Sequence, residues 1–134
     1  MCNNKDNDSR CIAEILEVIN ILQRNSECPG NLLDTCDRGF LGCNQSVLNC
    51  NTRPVMLFTC CGNGVAWSMP ISKDPNETQT SNVFRVEKVD GNCATFRVLT
   101  QTDNTFAATN SFFTMDLDCI CVLRCLQDTF VECI

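Results

Sequence analysis

Thirteen of the 134 residues are cysteines, and they are the residues with most chemistry to offer. A thiolate can act as a nucleophile, ligate a soft metal or form a disulfide. An odd number cannot pair completely within one chain, so at least one thiol stays free, binds something or bridges to another molecule. The distribution is uneven. Eight cysteines precede residue 62, Cys93 stands alone in the middle, and Cys119, Cys121, Cys125 and Cys133 close the sequence.

The spacing argues against metal and redox chemistry. Structural zinc sites favour Cys-x₂-Cys pairs with thiolate or imidazole partners; this chain has no such pair and no histidine. Cys119, Cys121 and Cys125 could supply three thiolates, but a fourth would have to come from a distant segment. Thioredoxin-type catalysis needs Cys-x-x-Cys at a helix start, where the dipole favours the thiolate. Adjacent Cys60 and Cys61 would close a strained ring if bonded together, which favours different partners for each. Without histidine there is no Ser-His-Asp triad and no Cys-His pair. Asp116 and Asp118 alternate along an expected strand face and read as a solvated edge. The sequence therefore assigns no catalytic residue, cofactor or metal, and predicts a protein that is not an enzyme.

Composition narrows the partners. The net charge of −6 is spread evenly along the chain, leaving no basic block to neutralise a phosphate backbone. Neither nucleic-acid binding nor membrane insertion is expected, since the apolar runs fall far short of a bilayer span. The polar start Met1-Cys2-Asn3-Asn4-Lys5-Asp6 lacks the apolar region of a secretory signal. That conflicts with a cysteine content usually found in oxidising compartments. A chain of this length can also bury an adequate core without covalent staples.

These cysteines must be held by a mainly β fold. Residues 1–9 read as a short polar arm, and residues 10–134 as one β-rich domain. An amphipathic helix is expected over about residues 10–25, capped by Ser9, with Cys11, Ile12, Ile15, Leu16, Ile19 and Leu22 on its buried stripe. Residues 26–53, rich in glycine and asparagine, form a cysteine-studded loop. Val55–Cys60 and Val65–Met69 flank Cys61-Gly62-Asn63-Gly64 as a first hairpin, and residues 70–81 form an exposed loop. Val83–Val89 and Cys93–Leu99 flank Asp90-Gly91-Asn92 as a second hairpin. There Phe84 and Val86 share one face, as do Ala94, Phe96 and Val98. Arg85, Glu87 and Arg97 lie opposite, positioned for cross-strand pairing on a solvated face. Strands are further expected at Thr105–Ala108, Ser111–Leu117 and Cys119–Leu126. The economical arrangement is an antiparallel sandwich or barrel-like sheet with one N-terminal helix.

Cys11, Cys93, Cys119, Cys121 and Cys125 then read as buried or intramolecular cysteines. Cys2, Cys28, Cys36, Cys43 and Cys133, in terminal or loop positions, read as candidates for intermolecular disulfides. Several blocks resemble a known family. Asn51-Thr52-Arg53-Pro54-Val55-Met56-Leu57-Phe58-Thr59, Val83-Phe84-Arg85-Val86-Glu87, Cys93-Ala94-Thr95-Phe96-Arg97-Val98-Leu99 and Asp116-Leu117-Asp118-Cys119-Ile120-Cys121-Val122-Leu123-Arg124-Cys125-Leu126 occur in the order found in the CotY/CotZ/ExsY cysteine-rich proteins of spores. Phe40-Leu41-Gly42 fits the family's loop after the helix. The chain departs from it in lacking a Cys/His-rich tail and in the Cys60–Gly64 turn.

The resemblance implies a structural subunit of the coat crust or exosporium basal layer. It would self-assemble, as a hexamer extending into a two-dimensional lattice crosslinked by disulfides, alongside other coat or exosporium proteins. It also implies synthesis in the mother-cell cytoplasm and deposition on the spore surface without secretion. The reading left open beside it is a soluble cysteine-rich binding module with mainly internal disulfides.

Overall fold

The computed structural model describes residues 11–25, 50–103, 105–132 and 134. The expected arm, the Ser9 cap and most of the cysteine-rich loop lie outside the described residues. The order of elements is α1 (Cys11–Asn25), β1 (Val55–Thr59), β2 (Met69–Pro70), β3 (Thr80–Ser81), β4 (Val83–Asp90), β5 (Cys93–Thr102), β6 (Thr105–Asp116) and β7 (Ile120–Cys125). Five strands form one antiparallel sheet in the order β6-β5-β4-β1-β7, while β2 and β3 form a separate two-residue ladder. Helix α1 packs on one face of the sheet and the segment after β7 on the other. The fold is mainly β and sandwich-like. Strands β6 and β7 remain edges, so the sheet does not close into a barrel.

The β4–β5 hairpin forms where alternation and turn chemistry agree. Phe84, Val86, Ala94, Phe96 and Val98 are buried together on the α1 face. Asp90 pairs with Cys93, and Gly91 takes φ +62°, a left-handed conformation that glycine adopts without a Cβ clash. Phe113 of β6 completes an aromatic cluster. Its ring centroid lies 4.8 Å from Phe84, edge-on, and 5.3 Å from Phe96, stacked.

The helix buries only part of the expected stripe: Leu16 and Ile19 are in the core and Ile12 packs against it, but Cys11, Ile15 and Leu22 do not follow. Ala13, Leu16, Ile19 and Gln23 face the sheet, whereas Ile15, Val18 and Leu22 are 46%, 55% and 46% exposed. Apolar residues occupy two faces of α1, and only one can meet the core. Gln23 is satisfied there. Its amide donates to Val86 O at 2.8 Å, beside the β4–β5 register shift, and its oxygen accepts from Arg53 N at 3.0 Å.

The first expected hairpin is reduced to a bridge between Phe58 and Ala66 and one hydrogen bond from Trp67 N to Leu57 O. The main partner of β1 is β7, aligned from Val55↔Cys125 to Thr59↔Ile120. Burial explains the choice: Ile120 and Leu123 reach the core, whereas Val65 is 68% exposed. The expected strands at 105–108 and 111–117 are one continuous strand, β6, carried past a register shift opposite Arg97/Leu99. After it, Leu117–Cys119 form a 3₁₀ turn whose cap, Asp116, accepts a hydrogen bond from Asp118 N at 3.0 Å. Asp116 and Asp118 thus shape a turn instead of alternating on a strand.

The charged face of the second hairpin is covered, not solvated. Arg85 is 2% exposed. It donates to Thr52 Oγ1 (3.0 Å), Asn51 O (3.1 Å) and Glu87 Oε2 (2.8 Å). Arg97 reaches the same Glu87 oxygen at 2.9 Å and stacks over Phe112. Asn51 in turn grips the backbone of Val131 with both ends of its amide, at 3.0 and 2.9 Å. Residues 51–54 therefore fasten the C-terminal segment to the sheet through Thr52–Thr129 and Pro54–Leu126 backbone bonds.

Arg53 completes that strap by a two-point contact with Asp128, at 2.6 and 2.9 Å. The hydrogen bond from Arg53 holds the Asp128 carboxyl below its usual range. Both side chains are more than a third exposed, so the pair is worth under about 1 kcal/mol. A depressed folded pKa stabilises above the unfolded value, near pH ~4, and that contribution is lost as pH falls through the folded value. Arg53→Gln is expected to cost under about 1 kcal/mol at pH 7 and nothing further at pH ~2. Urea unfolding at both pH values checks this; an equal penalty at each would assign the effect to packing.

Candidate crosslinking site

Antiparallel topology gathers the described cysteines at the two ends of the sheet. Strands β1 and β7 are antiparallel neighbours, so the C-terminal end of β1 meets the N-terminal end of β7. This end carries Cys60, Cys61, Cys119 and Cys121, while Cys93 stands at the β4–β5 turn, opposite Asp116 at the end of β6. The 3₁₀ turn between β6 and β7 touches both places: Cys60 N donates to Cys119 O at 3.1 Å, and Leu117 N to Asn92 O at 2.8 Å. The other end carries Cys11, Cys50 and Cys125.

One disulfide is formed at the end where β1 meets β7, between Cys60 and Cys121, with Cα atoms 5.1 Å apart and a sequence separation of 61. A β-bulge makes it possible. Phe58 pairs with Val122 and Thr59 with Ile120, so Cys121 is the extra residue, set beside the end of β1. Both cysteines are exposed, as are the thiols of Cys61 and Cys93. Cys119 is half-buried on the 3₁₀ turn.

At the opposite end, Cys125 and Cys11 line a shallow apolar groove with Glu14, Ile15, Val18 and Arg53. Both thiols are exposed. Partial burial pushes the Cys125 thiol above its ordinary pKa; Arg53 opposes this and Asp128 reinforces it. Cys125 is therefore less ionised at neutral pH than a free cysteine.

Among the cysteines expected to be buried or paired within the chain, Cys121 lies in the disulfide, Cys119 is half-buried, and Cys11, Cys93 and Cys125 have exposed thiols. Cys11 lies exposed at the start of α1, where the apolar pattern had placed it on the buried stripe. Cys2, Cys28, Cys36, Cys43 and Cys133 lie outside the described residues. Sequence reasoning did not single out Cys60 as the partner of Cys121. The only available signal was the pair of strand ends, which meet once β1 and β7 are known to be neighbours.

Among the described residues, no group of three or more potential ligands converges on a metal position, and no helix is long and apolar enough to cross a membrane. The chemistry of this surface is that of thiols and a disulfide. A family model described as spore coat protein Z matches residues 1–106. The chain belongs to the spore coat protein Z family. No curated protein and no solved structure matches it.

Membership makes this a structural protein of the spore coat. The matched span takes in α1 and strands β1 to β5 and ends at the start of β6. In this spore coat Z family protein the conspicuous blocks have structural assignments. Asn51–Pro54 is the strap that receives the C-terminal segment, and Val83–Glu87 with Cys93–Leu99 is the central hairpin. The Cys119–Cys125 run lies beyond the matched span and supplies both the bulged disulfide partner and the edge strand.

Proposed function

We propose that the chain is a self-assembling subunit of a two-dimensional, hexagonal protein lattice in the outer spore layers, locked by disulfides between subunits. The observation that carries this reading is the position of the exposed thiols. Cys11, Cys61, Cys93 and Cys125 stand at opposite ends of a sheet whose apolar core contains none of them. Thiols in such positions are accessible to a neighbouring subunit. Contact at both ends of one subunit is what extension into a sheet requires.

Assembly proceeds in two stages on this reading. Non-covalent packing first builds a closed oligomer, a hexameric ring, and then a sheet; thiols brought into register afterwards oxidise and lock it. Cys2, Cys28, Cys36, Cys43 and Cys133 would add further bonds between chains. The layer is the coat crust or the exosporium basal layer, with other coat proteins as neighbours. The subunit is made in the mother cell, and it carries no catalytic activity.

Electron microscopy of purified protein is expected to show ordered sheets with and without reductant, while only the oxidised sheets survive boiling. If order vanishes whenever disulfide formation is blocked, the staging is wrong. The competing reading, a soluble binding module with mainly internal disulfides, predicts a monomer band on a non-reducing gel in place of a high-mass ladder.

A further inference from the structure

We propose that the end where β1 meets β7 is a thiol–disulfide exchange site for a second copy of this chain, in which Cys61 of one copy attacks the Cys60–Cys121 bond of another. The proposal rests on the self-assembly reading above and adds how the first bond between subunits can form. Three observations point to it. Both cysteines of the disulfide are exposed, and exposed disulfides are the labile members of their class. The bond sits at the β7 edge of the sheet, beyond which no further strand pairs among the described residues. An exposed thiol, Cys61, follows Cys60 immediately in the chain. The same patch thus holds both halves of the reaction, a nucleophile and an electrophile.

That combination identifies the occupant. A patch carrying both a thiol and a disulfide is chemically complementary to itself. In an isologous contact each copy presents to its partner what the partner lacks. A two-fold axis between two Cys60–Cys61 turns brings each Cys61 to the other chain's disulfide at once. Cys93 is less well placed. It lies at the start of β5 beside the end of β4, whereas Cys60 and Cys61 follow the end of β1, which runs antiparallel to β4.

The step is balanced without an oxidant. The Cys61 thiolate of one copy attacks Cys121 Sγ of the other. A Cys61–Cys121 bond forms between the chains, the Cys60–Cys121 bond breaks, and Cys60 leaves as a thiolate that takes a proton from water. One disulfide is consumed and one is made. Asp116 and Asp118 border the patch, so two copies repel there and added salt speeds the encounter.

The test uses full-length protein with the Cys60–Cys121 bond already formed, held anaerobically with chelator and no added oxidant. Free thiols are then trapped with an alkylating agent, and linked peptides are identified by mass spectrometry. The expected products are dimers joined through Cys61–Cys121, with Cys60 alkylated. Cys61→Ser reduces them at least ~10-fold, Cys60→Ser abolishes them, and Cys93→Ser leaves them unchanged. Absence of dimers, or dimers joined through other cysteines, overturns the proposal. If sheets and a high-mass ladder form in air while no Cys61–Cys121 bond forms anaerobically, exchange is wrong and the lattice reading stands. If neither sheets nor ladder form in air, the lattice reading fails and takes the exchange with it.

Discussion

Arg85→Ala is expected to lower the unfolding free energy by about 3–5 kcal/mol, against a total of about 5–15 for a domain of ordinary stability. The reason lies in what the guanidinium leaves behind. It is 2% exposed and donates to Thr52 Oγ1, Asn51 O and the Glu87 carboxylate. Removing it strands two neutral acceptors in a covered site and leaves Glu87 with Arg97 as its remaining ion-pair partner. An uncompensated buried acceptor costs about 1–3 kcal/mol, more when charged. The damage should also spread, because Asn51 and Thr52 hold Val131 and Thr129 in place. Arg85→Lys keeps the charge but loses the planar fork that reaches three acceptors at once, so it should recover only part of the loss. Urea unfolding of the two variants beside Arg53→Gln checks the ranking. A cost under about 1 kcal/mol for Arg85→Ala would show that the polar face is solvated after all.

Arg85 also marks the limit of what the sequence alone can say. The alternation through Val83–Val89 correctly puts Phe84 and Val86 on one face and Arg85 and Glu87 on the other. Nothing local reveals that the second face is covered as well. The cover is Leu126, Val131 and Ile134, brought back through Asn51 and Thr52, and that contact spans about eighty residues of chain. The same physics decides β1. Its nearest neighbour in sequence, Val65–Met69, has strand-like composition, but the long-range partner β7 buries more apolar surface and takes the ladder.

Helix α1 shows a second kind of ambiguity. Its apolar residues fit two overlapping stripes, and only the packed structure selects Ala13, Leu16 and Ile19 over Ile15, Val18 and Leu22. The candidate site is legible only as a set of cysteines. Cys60 and Cys61 meet Cys119 and Cys121 because β1 and β7 are antiparallel neighbours. Spacing along the chain does not encode strand direction until the sheet order is known.

Loss of the internal disulfide is the other large effect expected. The Cys60–Cys121 bond closes a loop with a sequence separation of 61, for which the chain-entropy model gives about 4 kcal/mol of stabilisation. The double variant Cys60→Ala/Cys121→Ala should therefore unfold at markedly lower urea concentration than the oxidised parent. Reductant should move the parent to nearly the same midpoint and leave the double variant where it is. If reductant shifts both alike, the stabilisation comes from other cysteines. This magnitude also constrains assembly. A subunit that hands its internal bond to a neighbour gives up most of that loop constraint, so exchange is favourable only where the new contact holds the end of β7 against β1 by other means. An isolated monomer in dilute solution should keep its internal bond, and a packed pair should trade it. Non-reducing analysis across a concentration series should accordingly show the Cys60–Cys121 bond disappearing only where assembly begins; a constant fraction at every concentration would separate the disulfide's role in stability from any role between chains.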